Sequence, residues 1–135
     1  MAGAAQYDVT MDQGTTYVLE GYVQKLTNPN APYDPVTNPY IPFDFTSWTA
    51  LSEIRESSGN PTALLTSTTS DRIQLNYPST GWFTLSLAPT DTASWAFNNA
   101  SPDQWNGVWD ITMSYGTYTI KPYQGAWNIN RLISR

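Results

Sequence analysis

The sequence predicts an all-β protein: an antiparallel β-sandwich of about seven to nine short strands, interrupted by one long proline-rich loop. Three observations carry that expectation. Apolar and polar residues alternate with a period of two wherever a period can be counted. Clusters of Gly, Pro, Asn, Asp and Ser separate the alternating segments. The 135 residues are 40% hydrophobic and 14% aromatic but only 13% charged, which suits a single domain (1–135) around one core and is far from the composition of a disordered chain.

Each element follows from its own residues. Between Gly14 and Gln24, Tyr17, Leu19, Gly21 and Val23 fall on one side and Thr16, Val18, Glu20 and Tyr22 on the other, the pattern of a half-buried strand. The segment Tyr33 to Ile41 lies inside a different kind of sequence. Residues 27–42 read TNPNAPYDPVTNPYIP and hold five of the ten prolines, so regular strand or helix is not expected and an extended, stiffened loop is. Next, Trp48, Ala50, Ser52 and Ile54 alternate with Thr49, Leu51, Glu53 and Arg55, and the turn formers Ser57 to Pro61 close that strand. Ile73 and Leu75 oppose Arg72, Gln74 and Asn76; Phe83, Leu85 and Leu87 oppose Trp82, Thr84 and Ser86. A short helix is expected only within Pro89 to Phe97, where Thr90 and Asp91 can cap a turn or two. The longest alternation runs through Trp109, Ile111, Met113 and Tyr115. A tight turn at Tyr115-Gly116-Thr117 then leads to Tyr118 and Ile120, and Gly125, Trp127 and Ile129 line the last strand. Residues 1–6 are expected to form a flexible arm and residues 131–135 a tail.

Composition removes much chemistry. There is no cysteine and no histidine, hence no disulfide, thiolate nucleophile or imidazole base. A net charge of −5 with scattered basic residues disfavours nucleic acid, whose binding needs clustered Lys and Arg. No apolar run approaches a membrane span, and the start, Met1 to Ala5, does not read as a signal peptide. Paired-carboxylate hydrolysis remains conceivable, but Glu20, Glu53 and Asp110 belong to outward-facing series, and Asp34, Asp91 and Asp103 sit beside turn formers. No glycine-rich phosphate loop opens a helix. The sequence therefore predicts no enzyme, no catalytic residues, no metal site and no cofactor.

The order of short motifs resembles the small immunoglobulin-like proteins of tailed bacteriophages, found in tail, baseplate or fibre-attachment modules. The likeness runs through Asp12-Gln13-Gly14 into the strand at Tyr17 to Leu19, through Phe45-Thr46-Ser47-Trp48-Thr49-Ala50 to Ile54-Arg55, and through Ala63-Leu64-Leu65-Thr66. It continues with Gly81-Trp82-Phe83-Thr84-Leu85, Pro89 to Ala93, Val108-Trp109-Asp110-Ile111 and Gly125-Ala126-Trp127-Asn128-Ile129. Residues 27–42 are longer than the corresponding hairpin loop, and Ser52 stands where the pattern is usually apolar. The resemblance implies an immunoglobulin-like sandwich and a virion structural role, assembled in the host bacterial cytoplasm, with other virion proteins and copies of itself as partners and without catalytic residues.

On that reading the contact candidates are Tyr33, Val36, Tyr40 and Ile41 on the proline-rich loop, and Trp82 on the outer face of its strand. They also include Phe97 and Trp105 on a loop expected from Ala96 to Gly107, and Arg131, Leu132 and Arg135 at the end. The loop 27–42 has two readings, a docking surface or a cover over an open sheet edge. Two other functions fit the composition: a carbohydrate-binding module, stacking sugars on Trp82, Trp95 or Trp105 with calcium held by acidic loops, and a capsid decoration protein. Trp109 and Trp127 share their series with aliphatic residues and are expected in the core.

Overall fold

The computed structural model describes residues 5–56, 63–75, 78–93 and 104–131, and within them two-residue alternation becomes burial. Strands β1 (Ala5–Gln6), β2 (Val9–Asp12), β3 (Tyr17–Tyr22), β4 (Gln24–Leu26), β5 (Tyr40–Pro42) and β6 (Thr49–Arg55) form the first half. The second half holds β7 (Leu65–Thr69), β8 (Arg72–Gln74), β9 (Trp82–Leu87), β10 (Gln104–Tyr115) and β11 (Tyr118–Asn130), with a short helix α1 (Pro89–Thr92) after β9. The middles of the inward series named above are buried, whereas Tyr115 and Tyr118, beside the β10–β11 turn, are exposed. Leu19 and Gly21 in β3, Ala50, Ser52 and Ile54 in β6, Phe83, Leu85 and Leu87 in β9, and Trp109, Ile111 and Met113 in β10 all face the core.

The main sheet has the order β1-β11-β10-β6-β7-β8-β9-β3, with β2 also paired to β11. The runs β6-β10-β11 and β8-β9-β3 are the two layers of an immunoglobulin-like sandwich. They face each other across the core: the ring of Tyr17 in β3 stands edge-on to Trp127 in β11 at 5.8 Å, and Phe83 in β9 lies 5.7 Å from Tyr123 in β11. The layers are not separate sheets, because β7 and β8 pair with each other and carry the ladder round the corner. At that corner Ser70 and Arg72 take positive φ, a left-handed conformation that is uncommon for residues with side chains. Asp91 holds Arg72 there through a 2.8 Å ion pair.

The structure corrects four expectations. The sheet is mixed, not purely antiparallel: β1 and β2 run parallel to β11, and β7 runs parallel to β8. Ala5 and Gln6 are a paired strand opposite Tyr123 and Gln124 and so do not belong to a flexible arm. The helix spans Pro89–Thr92, and its first turn is closed by Asp91, whose Oδ2 accepts from the Ala88 N–H at 2.7 Å, with Ala88 in the cap position that Thr90 was expected to share. Finally, Tyr40-Ile41-Pro42 does form a strand despite its proline, paired to Gln24–Leu26 as a separate two-stranded sheet. Proline is tolerated there because an edge strand does not need every N–H. The expected turn at Ser57 to Pro61 lies outside the described residues.

Another proline explains an irregularity. The β10–β11 register shifts between Ile111↔Tyr123 and Met113↔Ile120, so Lys121 and Pro122 together oppose Thr112. Pro122 has no N–H for the ladder, and a bulge is where a strand accommodates that loss. The extra residue resets the alternation, which is why Ile120 and Tyr123 both turn toward the core ahead of Gly125, Trp127 and Ile129. Ser52 keeps the register of β6: it is buried, and its Oγ donates to the Asp110 carbonyl at 2.9 Å.

Candidate functional site

Three connections meet at one end of the sandwich. β3 ends at Tyr22 where β9 begins at Trp82, β6 begins at Thr49 beside the end of β10, and the β10–β11 turn lies at Gly116-Thr117. The chain leaves β3 at Val23 and returns at Phe43, Val23 being fastened to Gly81 and Phe43 to Val23. The Val23 N–H donates to the Gly81 carbonyl and the Phe43 N–H to the Val23 carbonyl, each at 2.9 Å. Gly81 has a φ of 75°, and a Cβ there would stand 2.3 Å from the Val23 carbonyl oxygen. Only glycine fits.

Between these fastenings, residues 24–42 form an arm. Its base is the β4–β5 hairpin and its body is organised by Asn38, which is buried. Prolines at 29, 32, 35 and 39 remove N–H donors but leave their carbonyls in need of partners. The Asn38 amide serves Pro32 and two neighbours: the two hydrogens of Nδ2 are shared among the carbonyls of Asn28, Ala31 and Pro32 at 3.0–3.1 Å, while Oδ1 accepts from the Asn28 N–H at 2.7 Å. At the tip, Asp34 Oδ1 accepts from the N–H groups of Val36 and Thr37. Those two backbone donors, Thr37 foremost, hold the Asp34 carboxyl below its ordinary range.

The arm presents an apolar surface. Tyr33 and Tyr40 stack at 4.9 Å with an interplanar angle of 20°, both half exposed, and Val36 is 85% exposed at the tip. Ile41 is half-buried at the base. Among the described residues, every hydrogen bond of residues 27–41 stays within residues 24–42. The arm therefore does not add a rung to the main sheet. Around its root lies a chain of rings: Phe43 packs on Phe45 and Trp48, and Trp48 on Tyr115 at 5.9 Å. Lys25 sits 5.8 Å over the Phe43 ring. Tyr22 and Trp82 form a second exposed pair at 5.6 Å, and Tyr118 on the β10–β11 turn is 72% exposed.

The structure thus brings Tyr33, Val36, Tyr40, Ile41 and Trp82 to one end. Trp105 is a correction. It is 0% exposed within β10, not on an exposed loop, because it continues the inward series of Trp109 and Ile111, and Gly107 leaves room for its ring. Arg131 is exposed just past β11, at the opposite end. Phe97, Leu132 and Arg135, like Trp95, lie outside the described residues. Sequence reasoning missed Tyr22, Trp48, Tyr115 and Tyr118. The signal was available in the strand order, since the second-to-third and sixth-to-seventh connections of an immunoglobulin-like sandwich emerge at the same end.

Three of the acids considered for hydrolysis, Glu53, Asp110 and Asp91, have cationic neighbours. Glu53 and Asp110 face each other across β6 and β10 in an open cleft of about 520 Å³. Arg55 binds Glu53 at 2.8 Å and Lys121 binds Asp110 at 3.1 Å. The arrangement is a neutralised lattice of alternating charge on a sheet face, suited to solvation and polar contact. Compared with known proteins, the chain matches no protein-family model and no curated protein.

Proposed function

We propose that the protein is a non-enzymatic joining component of a repeated assembly, in keeping with the bacteriophage virion role that its motif order implies, and that residues 24–42 are its docking arm. The observation that carries this reading is the self-contained construction of the arm. A loop that satisfies its own polar groups around Asn38 while leaving Tyr33, Val36 and Tyr40 in solvent is already ordered for contact. Binding then costs less conformational entropy. Aromatic anchors of this kind concentrate binding energy at interfaces, and many identical weak contacts around a symmetric particle become strong together.

The test replaces Tyr33, Val36 and Tyr40 with serine in a host that carries this gene. The folded variant is expected to be missing from purified tailed particles that contain the wild-type chain, as read by mass spectrometry. Incorporation of the variant at wild-type level would overturn the docking role. Calcium-dependent capture on a glycan array that is lost with Tyr33 and Tyr40 would replace it by carbohydrate binding.

A further inference from the structure

A second surface is independent of the arm. β3 ends the main sheet and, among the described residues, has β9 as its sole ladder partner. The Val23 N–H donates to the Gly81 carbonyl in register with that ladder. By two-residue periodicity the backbone groups of Tyr17, Leu19 and Gly21 therefore point to β9, and those of Val18, Glu20 and Tyr22 point away. Tyr22 confirms the phase. Its N–H and carbonyl are both engaged by the Tyr123 hydroxyl and so are not spent on β9. Tyr123 thus closes the edge at that point, and Val18 and Glu20 leave a short row of donors and acceptors facing outward.

Edge strands are normally guarded by proline, lysine, a bulge or a covering segment. β3 has no proline, lysine or bulge, its one charge is Glu20, and Val18 near its start is 51% exposed. We infer that this edge pairs antiparallel with the same edge of a second copy of the chain, Val18 lying opposite the partner's Val18. The register follows from charge and from the hydroxyl of Tyr123. Pairing centred on Glu20 would oppose two carboxylates, which is unfavourable. Pairing centred on Leu19 would set Val18 against the partner's Glu20 and, with the groups of Tyr22 taken, form two rungs where centring on Val18 forms three. Centring on Val18 sets Glu20 against the partner's Thr16, away from the partner's Glu20, and makes an apolar pair of the two valines. The contact is isologous, as a two-fold interface requires.

The chain has no cysteine, so single introduced thiols report the register directly. Under mild oxidation the purified full chain carrying Val18→Cys is expected to give a disulfide-linked dimer. Glu20→Cys is expected to give none, because centring on Val18 separates the two positions by roughly 13 Å along the strands. Sedimentation velocity is expected to show concentration-dependent dimers for wild type, monomers for Val18→Lys and Val18→Glu alone, and dimers again when these two variants are mixed. Wild type that stays monomeric at millimolar concentration, or equal cross-linking of both cysteine variants, would overturn the inference. The arm variant with serine at 33, 36 and 40 is expected to dimerise like wild type, so failure of the arm reading and failure of this one are distinguishable.

Discussion

Asn38 shows how one side chain can hold a loop that its prolines alone would leave with unanswered carbonyls. Replacing it with alanine removes four hydrogen bonds but no core contact. Amide exchange at Asp34, Val36 and Thr37 is expected to rise about tenfold or more, the equivalent of one or two net hydrogen bonds, and the melting temperature to fall by about 3–5 °C for each kcal/mol lost. Nuclear magnetic resonance exchange rates check the first and calorimetry the second. Asp91 is a different case, because it fastens the sheet corner. The Arg72 guanidinium, and secondarily the Ala88 N–H, hold its carboxyl below the ordinary value of 3.8. The unfolded chain then binds more protons than the folded one as pH falls through that range. The stability contributed by Asp91 is present above the ordinary carboxylate value and is lost as pH falls through the lowered one. Asp91→Asn is expected to cost about 1–2 kcal/mol at neutral pH and to flatten the acid side of the stability profile measured by urea denaturation.

At the scale of elements, packing decides what alternation alone cannot. Gly21 sits on the inward side of β3 because a Cβ there would meet the Phe83 ring at 2.1 Å. Gly21→Ala is expected to lower the urea midpoint by the equivalent of about 1–3 kcal/mol without changing the slope. The strands of the core were legible in the sequence since burial imposes a parity on them: Leu19, Ile54, Phe83 and Trp109 declare their faces without help from distant residues. Parity also misled. Trp105 has the parity of the core, yet the turn formers close to it in the sequence argue for a loop there. Tyr115 has core parity too and is half exposed, because it lies at a strand end where the sandwich stops covering it. The β4–β5 hairpin was hidden for a different reason, in that proline content argues against strands in general but not against a two-stranded edge. Parallel pairing of β1 and β2 with β11 left no local mark, since it depends on which distant edge happens to be free.

Over the whole molecule, charge and shape act together. Each copy carries −5, so self-association through β3 works against a long-range repulsion that is local to no residue. Raising ionic strength from 0.01 to 0.15 M shortens the screening length from about 30 to about 8 Å. Dimerisation is therefore expected to strengthen with salt over that range in sedimentation experiments, the reverse of what an interface built on opposite charges would show. The two ends of the sandwich also differ in kind: the arm, Trp82 and the β10–β11 turn gather rings at one pole, whereas Arg131 emerges at the other. One last property follows from the parallel course of the first strands along β11. Ala5 lies beside Tyr123 and Asp12 beside Asn130, so a pull entering at Ala5 and leaving past Asn130 drags these strands lengthwise against each other. The rungs between them then bear the load simultaneously and yield together, as a seam does when sheared, instead of opening one after another like a zip.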